Sequence, residues 1–218
     1  MQVFITPKDT QSRDWVANHA QSNPVEALQV AGAITDPWLR CQAFAHAALH
    51  ARDQAQRMQV LGAAFASAHE LKEPNRIVKV SAWPLKILCI HKEVEELERQ
   101  TERLLEIIST EPHPVRRADA LFEMLGALAI GPKQSFLEAL SPFEQACQTI
   151  RGSKGDWMLR HIFPVLERVD STRAANLLEM IERPTQKALA IEESERQRTR
   201  SLEQICSWPS IGHHSPSN

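Results

Sequence analysis

His46 and His50 stand four residues apart, and Asp53 follows at three. On one helix this spacing places two imidazoles and a carboxylate on a single face, a geometry that can hold zinc. Ala47, Ala48 and Leu49 fill the interval, so the His-Glu-x-x-His pattern of a metalloprotease is absent and no general base accompanies the pair. No metal site is expected there, nor at His213 and His214 near the end of the chain. Ser153-Lys154-Gly155-Asp156 sets a lysine beside glycine before a helix start, a place where an anion could sit. The Gly-x4-Gly-Lys spacing of a phosphate loop is missing, and a plain loop is expected. Neither a Gly-x-Ser-x-Gly elbow nor a dinucleotide fingerprint occurs. No residue is nominated as catalytic and no cofactor is expected. Cys41, Cys89, Cys147 and Cys206 are scattered singly, which suits buried thiols in a reducing compartment better than a disulfide framework.

Arginine and tryptophan carry the remaining chemistry. Arg40, Arg76, Arg117 and Arg160 each fall near the start of an expected helix, where the helix dipole disfavours a cation. Each therefore needs a partner. One option is an acid in its own first turn, such as Asp36 or Asp156, or an acid on the next hairpin. The other is a binding surface built from some of these arginines with Trp38, Trp83 and Trp157, because Trp and Arg are enriched where binding energy concentrates.

The elements that must position these residues are helices. Tyrosine is absent, glycine numbers only 7, and Ala, Leu, Glu, Gln and Arg dominate. Asn23-Pro24, Asp36-Pro37 and Ser141-Pro142 each pair a capping side chain with a proline, and Glu73-Pro74, His113-Pro114, Gly131-Pro132 and Arg183-Pro184 are weaker versions. Asp156 and Asp170-Ser171 can cap without proline. These marks predict helices near 11–21, 24–34, 37–52, 54–70, 74–91, 93–109, 114–129, 133–150, 156–168, 171–182 and 184–200. Trp83-Pro84 and Phe163-Pro164 lie inside two of them and predict either a bend or a stop and restart. Residues 91–106 alternate Glu, Lys and Arg and read as a solvated outer helix face.

The four arginines are spaced 36, 41 and 43 residues apart, and each interval holds two helices with apolar stripes. A two-helix period of this length marks stacked hairpins that cover one another. The run Ile34-x-Asp36-Pro37-x-x-Arg40-x-x-Ala43, with its looser echo Pro114-x-x-Arg117-x-x-Ala120, resembles the HEAT-like and TPR-like α-α superhelix proteins, over residues 24–183. The resemblance implies an elongated, curved body that binds other macromolecules, and it implies no chemistry.

The expected architecture is all-α, an α-α superhelix of about five antiparallel hairpins. Residues 1–196 form the helical-repeat domain and residues 197–218 a C-terminal extension, in which Leu202, Ile205 and Trp208 could dock on the last hairpin or serve a partner as a linear motif. The formal charge of −2, with no strongly basic block, argues against a non-specific hold on nucleic acid. The N-terminal residues lack the apolar core of a signal peptide and no stretch is long enough to span a bilayer, so a cytoplasmic protein is expected. The functional expectation is a non-catalytic scaffold or adaptor that binds another protein, with a specific inhibitor or immunity-type binder as one form. The alternative is a nucleic-acid-binding helical repeat or an enzyme with its site in the concave groove.

Overall fold

The computed structural model describes residues 7–150 and 153–206, and all of its regular structure is helical. In chain order the helices are α1 (Pro7–His19), α2 (Pro24–Ala33), α3 (Pro37–Leu49), α4 (Gln54–His69), α5 (Pro74–His91), α6 (Val94–Ser109), α7 (Pro114–Leu128), α8 (Lys133–Thr149), α9 (Ser153–Val169), α10 (Ser171–Met180), α11 (Pro184–Gln197) and the single turn α12 (Leu202–Ile205). Proline occupies the first turn of α2, α3, α5, α7 and α11, where its missing N–H breaks no bond. Asp36, Asp53 and Asp170 accept from the amides of Leu39, Gln56 and Arg173 at 2.8–2.9 Å.

Several boundaries differ from the sequence reading. Asn23 makes no side-chain cap, because its backbone (φ −130°, ψ 61°) departs from the extended geometry a cap needs. Helix α1 begins at Pro7, and α9 at Ser153, so the anticipated loop at 153–156 is helical and Asp156 does not cap α9. Pro142 lies inside α8 and starts nothing. Helices α5 and α9 run unbroken through Pro84 and Pro164, which excludes the stop-and-restart option. At Pro84 a neighbour repairs the ladder. The Val80 carbonyl, deprived of its donor four residues on, faces the Cys41 thiol of α3 at 3.7 Å.

The odd-numbered helices form a continuous row, α1 against α3, α3 against α5, α5 against α7, α7 against α9 and α9 against α11. Most even-numbered helices lie over the seams, α4 touching α3 and α5, α6 touching α5 and α7, and α8 touching α7 and α9. One apolar core runs the length of this arrangement, with Leu85, Leu88, Leu97, Leu104, Leu121, Met124, Phe136 and Phe143 fully buried. Each such side chain contributes about 2 kcal/mol relative to exposure.

Polar staples fix the row's register. Asp9, the third residue of α1, accepts from the Thr35 amide (3.3 Å), the Thr35 hydroxyl (2.6 Å) and the Asp36 amide (3.2 Å), at the start of α3. Asp156, the fourth residue of α9, accepts from the amides of Glu182 (3.1 Å) and Arg183 (3.2 Å), at the start of α11. A carboxylate near the start of one odd helix thus satisfies the free amides that precede the next, so neighbours in the row are parallel and begin at one edge. Between them, Lys79 meets Asp119 at 2.7 Å, and both are the sixth residue of their helices, α5 and α7. Replacing Asp156 by alanine strands two amides in this part-buried seam. It should lower the unfolding free energy by about 2 kcal/mol in urea melts, whereas asparagine, which keeps one acceptor, loses less. An alanine variant as stable as the parent would remove the staple from this account.

Candidate functional site

One stripe of each of the odd helices α3, α5, α7 and α9 meets its neighbours in the row, part of it exposed and part buried. On α5 the stripe is Lys79, Trp83, Lys86 and Ile90, spaced by four, three and four. On α7 it is Asp119, Glu123 and Gly126, with Ile130 just past the helix end, each forty residues further on. Gln42, His46 and Leu49 form the stripe of α3, and Trp157, His161, Val165 and Arg168 that of α9.

Cross-row contacts run along these stripes. The Arg13 guanidinium of α1 donates to Gln42 at 3.1 Å. The rings of His46 and Trp83 meet edge to face, centroids 5.3 Å apart. Lys79 reaches Glu123 at 3.8 Å as well as Asp119. Burial pushes the Glu123 carboxyl above its ordinary range, Lys79 opposing this and Asp119 adding to it.

One level of this face is covered. Ile90 is 39% exposed, and Lys79 and Trp83 are half-buried, yet Lys86 between them is only 3% exposed. At the matching level Gly126 on α7 and Val165 on α9 are buried too. At Lys86 the end of the described chain forms part of the cover. Arg168 on α9 donates to the carbonyls of Gln197 and Arg198 (2.7 and 2.6 Å) and of Arg200, gripping the turn after α11. Ser201 and Gln204 then form a reciprocal capping box, and α12 packs on α9. Ile205 and Cys206 are buried, and the Lys86 ammonium donates to the Cys206 carbonyl at 3.0 Å, across 120 residues of sequence. Residues 197–206 are thus a strap that leads from α11 back to α5.

The residues singled out from sequence fall into separate groups. Trp38 and Arg76 come together at the edge where the odd helices begin, the guanidinium 5.8 Å from the ring. Arg76 also pairs with Glu73, 3.6 Å away in its own first turn. Arg40 takes an acid of its own hairpin, Glu70, rather than Asp36, and donates to Ser67 and the Ile34 carbonyl at 3.1 Å. Arg117 donates to the Glu111 carbonyl at 3.0 Å, with a second, shorter bond. Both therefore reach six residues back, from the fourth helical position to a linker carbonyl. Arg160 reaches the next hairpin, Gln186 at 3.1 Å and Glu193 at 3.9 Å on α11. Trp157 packs between Phe122 and His161. Of the seven, Trp83 and Trp157 lie on the stripes that flank the strap.

His46, His50 and Asp53 do not share a helix face, because α3 ends at Leu49, His50 is its C-cap and Asp53 caps α4. Among the described residues no group of three His, Cys, Asp or Glu is gathered as a metal ligand set. Burial pushes the thiols of Cys89 and Cys147 up to about 12, and that of Cys41 higher, so none is poised as a nucleophile. Trp208, His213 and His214 lie outside the described residues. Glu95, Glu98, Glu102 and Glu106 of the charged run share an open outer trough with Glu138.

Lys86 was missed although a signal was present. It is the single charge in the apolar run Trp83-Pro84-Leu85-Lys86-Ile87-Leu88-Cys89-Ile90. Arg168 carried no such mark.

No protein-family model matches the chain, and no curated protein does. A solved structure does, the crystal structure of Ton1535 from Thermococcus onnurineus NA1, with 15% identity and a TM-score of 0.64. The likeness covers 93% of this chain and 62% of that one, so this chain spans less than two thirds of the other's length. At that identity it speaks for the fold alone.

Three other histidines govern acid stability. Burial holds His50, His69 and His91 below their ordinary value of 6.5, with Arg103 adding to the effect at His69 and Arg57 at His91. The Nε2 atoms of His69 and His91 find no hydrogen-bond partner among the described residues. A depressed histidine pKa means that the unfolded chain binds the proton more readily. Stability is complete above pH 6.5 and falls as the pH drops below it. The raised carboxyls of Glu123 and Glu144 act oppositely, strengthening the fold only as the pH approaches the carboxylate range. Thermal melts should show a midpoint that declines from pH 7.5 to 5.5, with a shallower decline in His69→Gln. A midpoint that rises over this interval would contradict the assignment.

Proposed function

We propose that the chain is a non-catalytic helical-repeat scaffold or adaptor whose open face receives a segment of another protein. The observation that carries this reading is the grip of Lys86 and Arg168 on main-chain carbonyls of residues 197–206. Cations aimed at a backbone suit recognition of a polypeptide, because carbonyls recur in every sequence. The Trp83–His46 pair and the Lys79–Asp119–Glu123 cluster flank the same seat and supply side-chain selectivity.

We read the row of odd helices as a HEAT-like α-α superhelix of about five hairpins. The order of helix contacts supports this. A scaffold that sequesters one specific partner, as an inhibitor or immunity-type protein does, is one form of the proposal. A cytoplasmic location fits four buried thiols outside any disulfide, and no helix among the described residues is long and apolar enough to cross a membrane.

Panning a linear peptide library against the immobilised protein should enrich a shared motif. Peptides carrying it should lose binding to a Lys86→Met variant whose helicity is unchanged. A library that enriches nothing would overturn the reading. Duplex and single-stranded DNA should show no tight, salt-steep binding in anisotropy titrations, and such binding would favour a nucleic-acid-binding repeat instead.

A further inference from the structure

We propose that residues Ser201–Cys206 are an intramolecular occupant of the segment-binding face, so that a partner's segment gains the seat only when this strap lifts. The inference rests on the scaffold reading and adds its regulation.

Three observations carry it. First, the strap covers a surface already organised as a stripe. Lys79, Trp83, Lys86 and Ile90 follow helical spacing along the open side of α5, and Lys86 alone is sealed, by a residue 120 positions away. Gly126 and Val165 are buried at the same level of α7 and α9. Helix α7 stands between α9 and α5. Secondly, Lys86 and Arg168 donate to the strap's main-chain carbonyls, and α12 packs on α9. Ile205 and Cys206 are buried and Leu202 packs on the core, while the carbonyls that the two cations hold are groups any polypeptide could offer in their place. Thirdly, the two grips are separable. Arg168 holds residues 197–200, upstream of the seat, and is itself exposed. Lys86 holds Cys206, within the seat.

That separation defines the test. A fluorescein-labelled peptide of residues Ser201–Asn218 is titrated by anisotropy into the full-length parent, Arg168→Ala, and Arg168→Ala with Lys86→Met. Loss of the upstream grip raises the fraction of molecules with an open seat while leaving the seat intact. The peptide should therefore bind Arg168→Ala about tenfold more tightly than the parent. Adding Lys86→Met should abolish that gain. Independently of any variant, hydrogen exchange on the parent should show the amides of Ile205 and Cys206 exchanging on the order of a hundredfold faster than those of central α9. Equal affinity for parent and Arg168→Ala, a gain that survives Lys86→Met, or exchange of these two amides only through global unfolding overturns the proposal. Library-selected peptides that bind parent and Arg168→Ala alike would end the gate but leave the scaffold. A library that selects nothing on either would end the scaffold itself.

Discussion

A helix start can be buried in a stack only if its free amides find acceptors, and in this protein the neighbouring odd helix supplies them at two points. Asp9 takes the amides before α3 and Asp156 those before α11, each from near the start of the helix next in the row. Elsewhere the linkers satisfy themselves. The Glu111 carboxylate accepts from the His113 amide while its carbonyl takes Arg117, and Arg40 returns to the Ile34 carbonyl. An unpaired buried amide costs about 1–3 kcal/mol, so sliding one odd helix past another by a turn would be expensive at these points before any core contact was lost.

From that register follows everything on the open face. Because α5 and α7 begin together, residues forty positions apart stand side by side, and Lys79 meets Asp119 while Lys86 aligns with Gly126. The same alignment sets His46 against Trp83. A face assembled in this way is a set of parallel rungs, each drawing one side chain from each hairpin. The proposed scaffold reading draws on this arrangement, with a polypeptide laid across several rungs.

The strap turns that geometry inward. Burying an ammonium is unfavourable unless a strong acceptor meets it, and the Cys206 carbonyl is such an acceptor for Lys86. The likeness to Ton1535 extends the arrangement of helices to a second protein and leaves the face of each to its own side chains.

Ten of the twelve helices could be bounded closely from the sequence, because capping residues, prolines at first positions and three–four apolar spacing are local signals. The misses were local signals outvoted by surroundings. Pro142 and Pro84 announce breaks, yet each lies within an unbroken helix packed on its neighbours, and at Pro84 the Cys41 thiol faces the carbonyl left without a donor. Asp156 has the form of a cap for its own helix and instead serves one 26 residues on. The arginines were correctly expected to have partners, but which partner depended on where each linker folded. The sequence by itself settled that the chain is helical, where its turns fall and which stripes are apolar, since these depend on neighbours within four residues. Only the tertiary structure decided that Lys86 meets Cys206 and that Arg168 grips the turn after α11, because those bonds join residues that no periodicity relates and only the register of the stack brings together.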